Sequence, residues 1–476
     1  MISAAEQLLI ELINRARLDP QAEADRYLGG DLNQGIGAGT LTNFTRQPLA
    51  GNDALNRAAD AHSQHMLNVN MFEHTGIGDG TPGSRATGQG YGTNQVSENI
   101  SARFENPTID LNAAILENHR GLFQSPTGHR QNMLNNNDRE VGVGQQGGPY
   151  FFQGQTWQTS MVTEKFSSFS NDIFLTGVFY NDTNNDNFYS IGEAVGNQTV
   201  TMGAMNAVTA AAGGYQIDVG NTTGFQNVMY ANVNVNLEFT GQNVKFDIVD
   251  GASVYTSTNI NIVSGVNMVQ LLGLNNLAIN GGAGNEILNG NSGNNYINGG
   301  VGTDLMTGGA GNDTYTIDNL NDVIVEQAGG GDDAVYSFND AALSGNIETL
   351  ILAPTAQNAI SGFGDGNVNQ IFGNEFNNVI YGRGNVDRLG GGAGDDIFVM
   401  AMGDQAANLQ EQITDFEGAG VAGGDRMGLS GFGPGATVVQ VSTNSYEVRD
   451  AGNVAQASFI LEGVTTALTA DDYYFT

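Results

Sequence analysis

The chain contains no cysteine among its 476 residues. Neither a disulfide framework nor a thiolate metal site is therefore available, and outside the cell another stabilising device is needed. No stretch approaches the roughly 18 apolar residues of a membrane span, which argues against a transmembrane segment. One hydrophobic core stops growing at about 250 to 300 residues, so a chain of this length is expected to form several domains.

Basic residues are scarce. The chain has 16 Lys and Arg against 50 Asp and Glu, a formal net charge of -34. Residues 1–165 contain 11 basic and 17 acidic residues, whereas the remainder contains 5 and 33. Such a surface repels nucleic acids and anionic membranes and attracts cations. We therefore expect no nucleic-acid partner.

The N-terminal stretch "MISAAEQLLIELINRARLDP" lacks the basic region of a cleaved secretion signal, and Glu6, Glu11 and Arg15 interrupt its apolar residues. Ser3 and Glu6 have the spacing of a capping box. The stretch is therefore predicted to be an amphipathic helix.

Four segments with different patterns follow one another. Residues 1–165 hold all five histidines and the only tryptophan, with helical periodicity before strand-like runs, and predict a mixed helix and strand domain. Residues 166–271 contain short runs such as "IFLTGVFY" and "VKFDIV", which predict a β-sandwich. Residues 272–404 are rich in Gly and Asn with a nine-residue period. Residues 405–476 return to alternating β patterns such as "SFILEGV".

The nine-residue period forms two blocks. The first reads GGAGNEILN, GNSGNNYIN, GGVGTDLMT and GGAGNDTYT, and the second GNEFNNVIY, GRGNVDRLG and GGAGDDIFV. Glycines permit the tight turn, the sixth-place side chain and the turn carbonyls offer hard oxygen ligands, and the apolar eighth place can face a thin core. The candidate calcium ligands are Gly282, Gly284, Glu286, Gly293, Asn295, Gly300, Gly302, Asp304, Gly309, Gly311, Asp313, Asn378, Asp387, Gly392, Gly394 and Asp396.

Two repeats complete one coil of about 18 residues, which places a calcium ion between loops two repeats apart. The predicted ligand pairs are Glu286 with Asp304, Asn295 with Asp313, and Asn378 with Asp396. The pattern resembles the parallel β-roll of repeats-in-toxin (RTX) proteins, whose signature is GGxGxDxUx. A flexible Gly/Asn linker, the alternative, would not keep the eighth place apolar. Where Glu or Asn replaces Asp in the sixth place, a weaker site is expected.

The segment between the blocks, "YTIDNLNDVIVEQAGGGDDAVYS", resembles the linking segments of longer RTX arrays. Two interpretations of Asp318, Asp322 and Asp332 remain open. They extend calcium binding into this segment, or they are ordinary turn aspartates on a solvated face.

A second calcium motif precedes the repeats. Residues 182–193, "DTNNDNFYSIGE", fit an EF-hand-type loop in which Asn187 replaces the usual Gly. Strand-like runs flank it, and it is similar to the calcium-binding B-type β-sandwich repeats of bacterial surface adhesins. The alternative is a hairpin with plain Asx turns. The candidate ligands are Asp182, Asn184, Asp186, the carbonyl of Phe188, and Glu193.

Three motifs of the first segment, "MFEHTG", "SENIS" and "SPTGHRQNML", hold His74, Glu98 and His129. Together with "INRARLDP" and "VGVGQQ" they resemble the CAP superfamily (cysteine-rich secretory proteins, antigen 5 and pathogenesis-related proteins) over residues 4–165. The resemblance implies an α-β-α sandwich whose cleft holds two histidines and two glutamates. His74, His129 and Glu98 match three of these positions.

The second cleft glutamate is replaced by Ser125, and Leu122 stands in place of the preceding tryptophan. Glu117, earlier on the same predicted helix, is the candidate substitute. His62 and His65 share a helix face, and without a third ligand nearby they are interpreted as part of a polar face.

Two imidazoles facing carboxylates suit a zinc ion held by His74 and His129, or general acid–base chemistry. The family resemblance implies sterol and lipid binders as well as disputed proteases, and no nucleophile is identifiable by spacing. Binding of a lipid, cell-wall or surface ligand is therefore favoured over a metal-assisted hydrolase or protease. A cell-surface adhesin or matrix protein is the third hypothesis.

The C-terminal stretches "ITDFEGAGVAGGDRMGLSGFG" and "LEGVTTALTADDYYFT" resemble the cap and tail of RTX proteins exported by type I secretion, whose uncleaved signal is C-terminal. The resemblance implies a bacterial protein, expected to be monomeric and either released or held at the cell surface. Its expected partners are calcium ions and the secretion machinery. An acidic roll would stay unfolded where calcium is scarce and fold outside the cell.

Overall fold

A computed structural model describes residues 2–169, 171–354, 360–404, 409–420 and 423–476. The chain divides into two compact units, Met1–Asn275 and Asn276–Thr476. The finer division into four domains stays a prediction. Residues 405–408, where the predicted C-terminal region begins, and 421–422 within it lie outside the described residues.

The first part of unit 1 places helices on both faces of a mainly antiparallel sheet. Its helices are α1 (Ala4–Leu18), α2 (Pro20–Leu28), α3 (Asp53–Val69), α4 (Pro82–Gly88), α5 (Leu111–Gln124) and α6 (His129–Met133). Its strands are β1 (Ala50–Gly51), β2 (Ser97–Glu105), β3 (Glu140–Phe152) and β4 (Gln155–Ser167), in the order β1-β3-β4-β2. Strand β2 is therefore an edge strand.

Helix α1 begins with the predicted capping box. The Ser3 hydroxyl accepts the Glu6 N–H at 3.2 Å, and the Glu6 carboxylate accepts the Ser3 N–H at 2.7 Å. The helix is more enclosed than an amphipathic surface helix, because even Glu11 and Arg17 are buried. Arg17 donates to backbone carbonyls, including that of Met133 at 2.8 Å, so its charge is hydrogen-bonded inside the fold.

The alternation along β3 separates the two helical layers. A Cβ at Gly142 would lie 2.2 Å from the backbone of Leu55, so α3 packs directly on this face. Val141 and Val143 point to the opposite face and join the apolar core formed with α1 and α5. The absence of side chains on one face of β3 thus lets α3 approach the sheet closely.

The rest of unit 1 consists of two groups of strands. One group has the order β8-β5-β11-β12-β14 and the other β7-β6-β9-β10-β13. Val178, Tyr180 and Val249 share one apolar cluster with α1, so this part packs on the first helix. The strands are β5 (Ile173–Tyr180), β6 (Thr199–Met202), β7 (Met205–Val208), β8 (Gly214–Gly220), β9 (Gly224–Tyr230), β10 (Val233–Phe239), β11 (Val244–Val249), β12 (Ser253–Thr256), β13 (Ile260–Ser264) and β14 (Met268–Leu271).

Unit 2 begins as a parallel coil of short strands. They are β15 (Ala278–Asn280), β16 (Ile287–Asn289), β17 (Tyr296–Asn298), β18 (Leu305–Thr307), β19 (Thr314–Ile317), β20 (Val323–Ile324), β21 (Ala334–Ser337), β22 (Ala341–Ala342), β23 (Thr349–Leu352), β24 (Ser361–Phe363), β25 (Gln370–Phe372), β26 (Val379–Tyr381), β27 (Arg388–Gly390) and β28 (Ile397–Ala401). Odd-numbered strands pair in one parallel sheet, whereas even-numbered strands pair in two separate parallel sets, β16-β18-β20 and β22-β24-β26-β28.

The register confirms the coil of 18 residues. Ile279 lies opposite Ile297, which lies opposite Tyr315, and Leu288 lies opposite Met306. All five side chains are completely buried. The eighth place of the repeat thus builds a core one side chain deep between the two sheets.

The C-terminal part of unit 2 combines parallel and antiparallel pairing. Strands β31, β32 and β33 form an antiparallel meander, and β33 pairs in parallel with β29. Strand β30 pairs in parallel with β28 and with β34. The strands are β29 (Glu411–Ile413), β30 (Arg426–Ser430), β31 (Thr437–Gln440), β32 (Ser445–Arg449), β33 (Ala455–Leu461) and β34 (Tyr473–Phe475). None of the helices in the described residues has the length and apolar composition to cross a membrane.

Candidate functional site

Beside the edge strand β2, the structure brings together three of the four residues predicted for the cleft. His74 Nδ1 lies 3.1 Å from Glu98 Oε1, and the ring centres of His74 and His129 are 6.4 Å apart. Glu98 is buried on β2, whereas the His74 side chain is 48% exposed. A ligand in the cleft would therefore meet the histidines first and the carboxylate beneath them.

His129 is held at the start of α6 by buried polar side chains. The Asn99 amide donates to the His129 carbonyl at 3.0 Å, and the Asn132 amide donates to Asn99 at 2.9 Å. Arg130, fully buried, donates to the Phe123 carbonyl at 2.6 Å and to further carbonyls nearby. Burial and the charge of His74 lower the pKa of His129, so its imidazole is neutral at neutral pH.

Glu98 is surrounded by positive charge. Lys165 Nζ lies 2.5 Å and Arg85 Nη2 lies 2.7 Å from its Oε2 atom, and both cations are themselves buried. Burial alone would raise the pKa of Glu98, but the hydrogen bond to His74 and the charges of Lys165 and Arg85 outweigh it and hold this pKa at about 2. Glu98 is therefore ionised at neutral pH, and its oxygens already have strong donors.

A pair formed by a buried histidine and a partly buried aspartate beside this group was not predicted. His62 is completely buried, its Nδ1 lies 2.5 Å from Asp79, and its Nε2 lies 3.7 Å from Glu98. The interpretation of His62 as part of a polar face is therefore wrong. Burial lowers the pKa of His62. No spacing signal marks Asp79, which lies in a glycine-rich loop 17 residues further along the chain.

Glu117 does not belong to this group, which corrects the sequence prediction. It is 43% exposed and pairs with Arg120 at 3.7 Å on the outer face of α5. The next two residues, Asn118 and His119, face the interior, and His119 bonds to Glu23 at 2.8 Å. A shift of one position along a helix turns a side chain by 100°, so Glu117 points away from the core. Ser125 bonds to Thr127 instead.

The cleft offers a poor donor set for zinc. Zinc sites in proteins combine three or four deprotonated ligands with free lone pairs. Here Glu98 is engaged by two cations, which leaves the two imidazoles of His74 and His129. Zinc at this position therefore stays a prediction that the geometry does not favour.

The four sixth-place aspartates of the nonapeptides share one arrangement. In each, Oδ1 accepts the backbone N–H of the residue 18 positions earlier, at 2.6 to 2.8 Å, while the buried Oδ2 has no hydrogen-bond partner. Burial raises the pKa of each to about 7. The residues are Asp304, Asp313, Asp387 and Asp396.

A buried carboxylate oxygen without a donor is costly, and a cation removes that cost. The predicted pairs Glu286 with Asp304, Asn295 with Asp313, and Asn378 with Asp396 lie together in the structure. The glycines bring turn carbonyls close to the next loop, since a Cβ at Gly302 (φ +156°) would lie 1.7 Å from the Gly284 carbonyl oxygen. Calcium, which prefers carboxylates and carbonyls, fits these loops. The candidate glycines with left-handed φ are Gly300, Gly302, Gly309, Gly311, Gly392 and Gly394, whereas Gly282, Gly284 and Gly293 are outside that group.

Hydrogen bonds from backbone N–H groups to its own carboxylates hold the loop at 182–193. Asp182 accepts the N–H groups of Asp186 at 3.1 Å and Asn187 at 3.0 Å, and Glu193 accepts those of Thr183 and Ser190. Asn187 has a left-handed φ of 57°, as a loop with Asn in place of Gly requires. The predicted residues of the linking segment differ in their surroundings. Asp322 Oδ1 accepts the Asp304 N–H at 3.0 Å, whereas Asp332 is exposed.

Two protein families match parts of the chain. Residues 10–157 match the Cysteine-rich secretory protein family, CAP, and form a CAP domain. Residues 280–315 and 363–398 match the RTX calcium-binding nonapeptide repeat in four copies. The chain therefore joins a CAP domain to RTX repeats of the calcium-binding type.

Two relatives are similar to part of the chain. The uncharacterized protein YkwD of Bacillus subtilis (strain 168) is 29% identical over 127 residues, which is 26% of this chain and 44% of YkwD. The match thus spans less than half of that relative. A crystal structure of an extracellular protein containing a SCP domain from Bacillus anthracis str. Ames is 22% identical, with 34% of this chain and 39% of that chain covered and a TM-score of 0.22.

Proposed function

We propose that this chain is a secreted calcium-binding protein that presents its CAP domain as a binding module for a lipid, cell-wall or cell-surface ligand. One observation favours binding over catalysis. Glu98, the only predicted cleft carboxylate that reaches His74, is held by Lys165 and Arg85 with a pKa of about 2. A general base needs a pKa near the working pH and a free lone pair, and Glu98 lacks both.

The His129→Ala variant tests this proposal, with Glu117→Gln on the outer face of α5 as the matched control. Wild-type protein is sedimented with purified peptidoglycan or with phosphatidylglycerol vesicles, and casein cleavage is measured in parallel. We expect His129→Ala to bind the peptidoglycan or the vesicles more weakly than the wild type does, and Glu117→Gln to bind as the wild type does. Neither variant should cleave casein. Casein cleavage that disappears in His129→Ala would establish the hydrolase alternative instead.

The repeat region is proposed to fold with calcium. Supporting this, each buried sixth-place aspartate has one carboxylate oxygen that lacks a donor, and burial raises its pKa, so a bound cation would favour the ionised carboxylate. Calcium that binds the folded roll more tightly than the unfolded chain stabilises it by linkage. Far-UV circular dichroism of the full chain should gain β-type signal on calcium addition, and identical spectra with and without calcium would reject the proposal.

Export by type I secretion is proposed from the RTX repeats together with the acidic C-terminal region. Calcium binding would then separate an unfolded form inside the cell from a folded form outside. Deletion of residues 405–476 should leave the protein in the cells, while the full chain reaches the medium of a strain with the transporter. Equal amounts of both forms in the medium would contradict this route.

Residues 166–271 are proposed to form a β-sandwich with its own calcium ion in the 182–193 loop. Two contacts support a structural role for that ion. The Arg15 guanidinium lies 4.8 Å from the ring centre of Phe188, and the Tyr255 hydroxyl donates to Asn187 at 2.8 Å. The loop thus contacts α1 on one side and β12 on the other, so an ion that orders it would stiffen both contacts.

A further inference from the structure

A group of three carboxylates lies partly outside the RTX repeats. One oxygen from each of Asp313, Glu326 and Asp333 lies within 4.8 Å of the others, and among the described residues no other group of three His, Asp or Glu is so close. Asp313 lies in the last repeat of the first block. Glu326 and Asp333 belong to the linking segment, which the match to the RTX repeat family does not cover. The sequence motifs singled out other residues of this segment.

The two aspartates present unused oxygens to this group. Asp313 Oδ1 accepts the Asn295 N–H at 2.6 Å, and Asp333 Oδ1 accepts the Asp313 N–H at 2.7 Å. Both side chains belong to residues only 1% exposed, and the Oδ2 atom of each has no hydrogen-bond partner. Each carboxylate is therefore fixed by one oxygen and has the other available for a ligand.

Glu326 is held in place by a buried phenol. The Tyr315 hydroxyl donates to Glu326 Oε1, which also accepts the Gly308 N–H at 3.3 Å. Tyr315 itself is completely buried in the core of the coil. The third carboxylate is thus oriented by a repeat residue, although it comes from the turn after β20.

Among the described residues of unit 2, no basic side chain pairs with these carboxylates. Unit 2 contains Arg383, Arg388, Arg426 and Arg449 and no lysine. Arg388 pairs with Glu462 and Arg449 with Glu447, while Arg383 and Arg426 lie over aromatic rings. Three carboxylates without a counter-charge repel one another, and a hard divalent cation with oxygen ligands resolves the repulsion.

We propose that Asp313, Glu326 and Asp333 form a calcium site that joins the first repeat block to the linking segment. The site rests on the proposed calcium binding of the roll, and it differs from the repeat sites in two respects. Its two aspartates are 20 residues apart, whereas the members of each repeat pair are 18 residues apart. It also contains three carboxylates, whereas each repeat pair combines one Asp with an Asn or a Glu. Because affinity rises with ligand charge, this site should fill before the repeat sites.

Glu326→Gln tests the site in the full chain, with Asp332→Asn as the matched control. Asp332 is exposed in the same segment, so both variants remove one negative charge within seven residues. Calcium binding is followed by equilibrium dialysis from submicromolar to millimolar calcium. We expect Glu326→Gln to bind one calcium ion fewer in the tightest class, or to bind it about tenfold more weakly, while Asp332→Asn matches the wild type.

The outcomes separate the two proposals. If the wild type binds no calcium, the calcium function of the roll fails. If the wild type binds calcium and Glu326→Gln binds it identically, the roll stands and this site is overturned.

A terbium measurement keeps the test decisive even if Glu326→Gln folds poorly. Terbium replaces calcium and emits when a nearby tyrosine is excited, and Tyr315 bonds directly to a proposed ligand. The first equivalent of terbium should lose most of its sensitised emission in Tyr315→Phe and keep it in Tyr296→Phe. Tyr296 is 40% exposed and bonds to Thr316 instead. Equal emission in the two variants would overturn the site.

Discussion

The buried ion group under the cleft leads to a quantitative prediction for Glu98→Gln. The substitution preserves the size of the side chain but leaves Lys165 buried without its counter-charge and leaves Arg85 with only Asp79 as a carboxylate partner, at 3.3 Å. The pKa of Glu98 falls from its ordinary value of 4.5 to about 2 in the folded protein. At about 1.4 kcal/mol per pH unit, this corresponds to roughly 3 kcal/mol of stability at neutral pH. Removal of one partner of a buried pair typically costs about 3 to 5 kcal/mol, which agrees.

Trp157 provides the assay, because it is the only tryptophan of the chain and lies on β4 within the CAP domain. Urea unfolding of the full chain, followed by tryptophan fluorescence at pH 7, should show Glu98→Gln destabilised by about 3 kcal/mol. The exposed Glu117→Gln should stay within about 0.5 kcal/mol of the wild type. In the double variant Glu98→Gln/Lys165→Met, the loss should be smaller than the sum of the single losses.

The pH dependence has a defined sign. A carboxylate whose pKa is lowered in the folded state contributes its full stabilisation above pH 4.5 and loses it as the pH falls through about 2. The difference between wild type and Glu98→Gln should therefore be the same at pH 7 and pH 5.5 and shrink below about pH 4. A loss of less than about 1 kcal/mol at pH 7, or additive effects in the double variant, would refute the ion group as described.

Three further predictions concern other parts of the chain. Ser3→Ala removes the cap of α1 and should lower the stability reported by tryptophan fluorescence by about 1 kcal/mol, and no change would mean that the cap is dispensable. Gly302→Ala forces a Cβ onto the Gly284 carbonyl and should raise the calcium needed for the β-type dichroism signal by more than tenfold, on the order of 2 kcal/mol. Gly366→Ala, where a Cβ meets no atom within 4 Å, is its control, and equal shifts in both would contradict this reasoning. Asp304→Asn should shift the same calcium midpoint upward by about tenfold at unchanged saturated signal, whereas an unchanged midpoint would remove Asp304 from the ligands.

Features that depend on local spacing could be predicted from the sequence. The capping box of Ser3 and Glu6 spans three residues, and the 18-residue coil follows from a period repeated in register. His74 and His129 were found because short motifs mark them, and the structure brings their rings to 6.4 Å. In each case the information lies within a few residues of the side chain concerned.

Features that depend on tertiary contacts could not be predicted. Lys165 and Arg85 reach Glu98 from a neighbouring strand and a short helix, 67 and 13 residues away in the sequence. Glu117 was assigned to the cleft from its position along α5, but its direction depends on which face of the helix packs on the sheet. Glu326 does not occupy a position of the nine-residue repeat, so only the fold shows that it lies beside Asp313.

The hydrogen bonds between sixth-place residues run towards the C-terminal end of the roll. The Glu286 N–H donates to Asp304, the Asp304 N–H donates to Asp322, and in the second block the Asp396 N–H donates to Asp425 beyond the repeats. Other backbone donors run the opposite way, since the Leu305 N–H donates to the Glu286 carbonyl at 2.9 Å and the Thr303 N–H donates to Asn285 at 2.9 Å. Each turn therefore satisfies donors of both of its neighbours, and a turn without a neighbour on either side leaves N–H groups without a partner. The array is therefore a one-dimensional lattice whose turns are coupled in both directions.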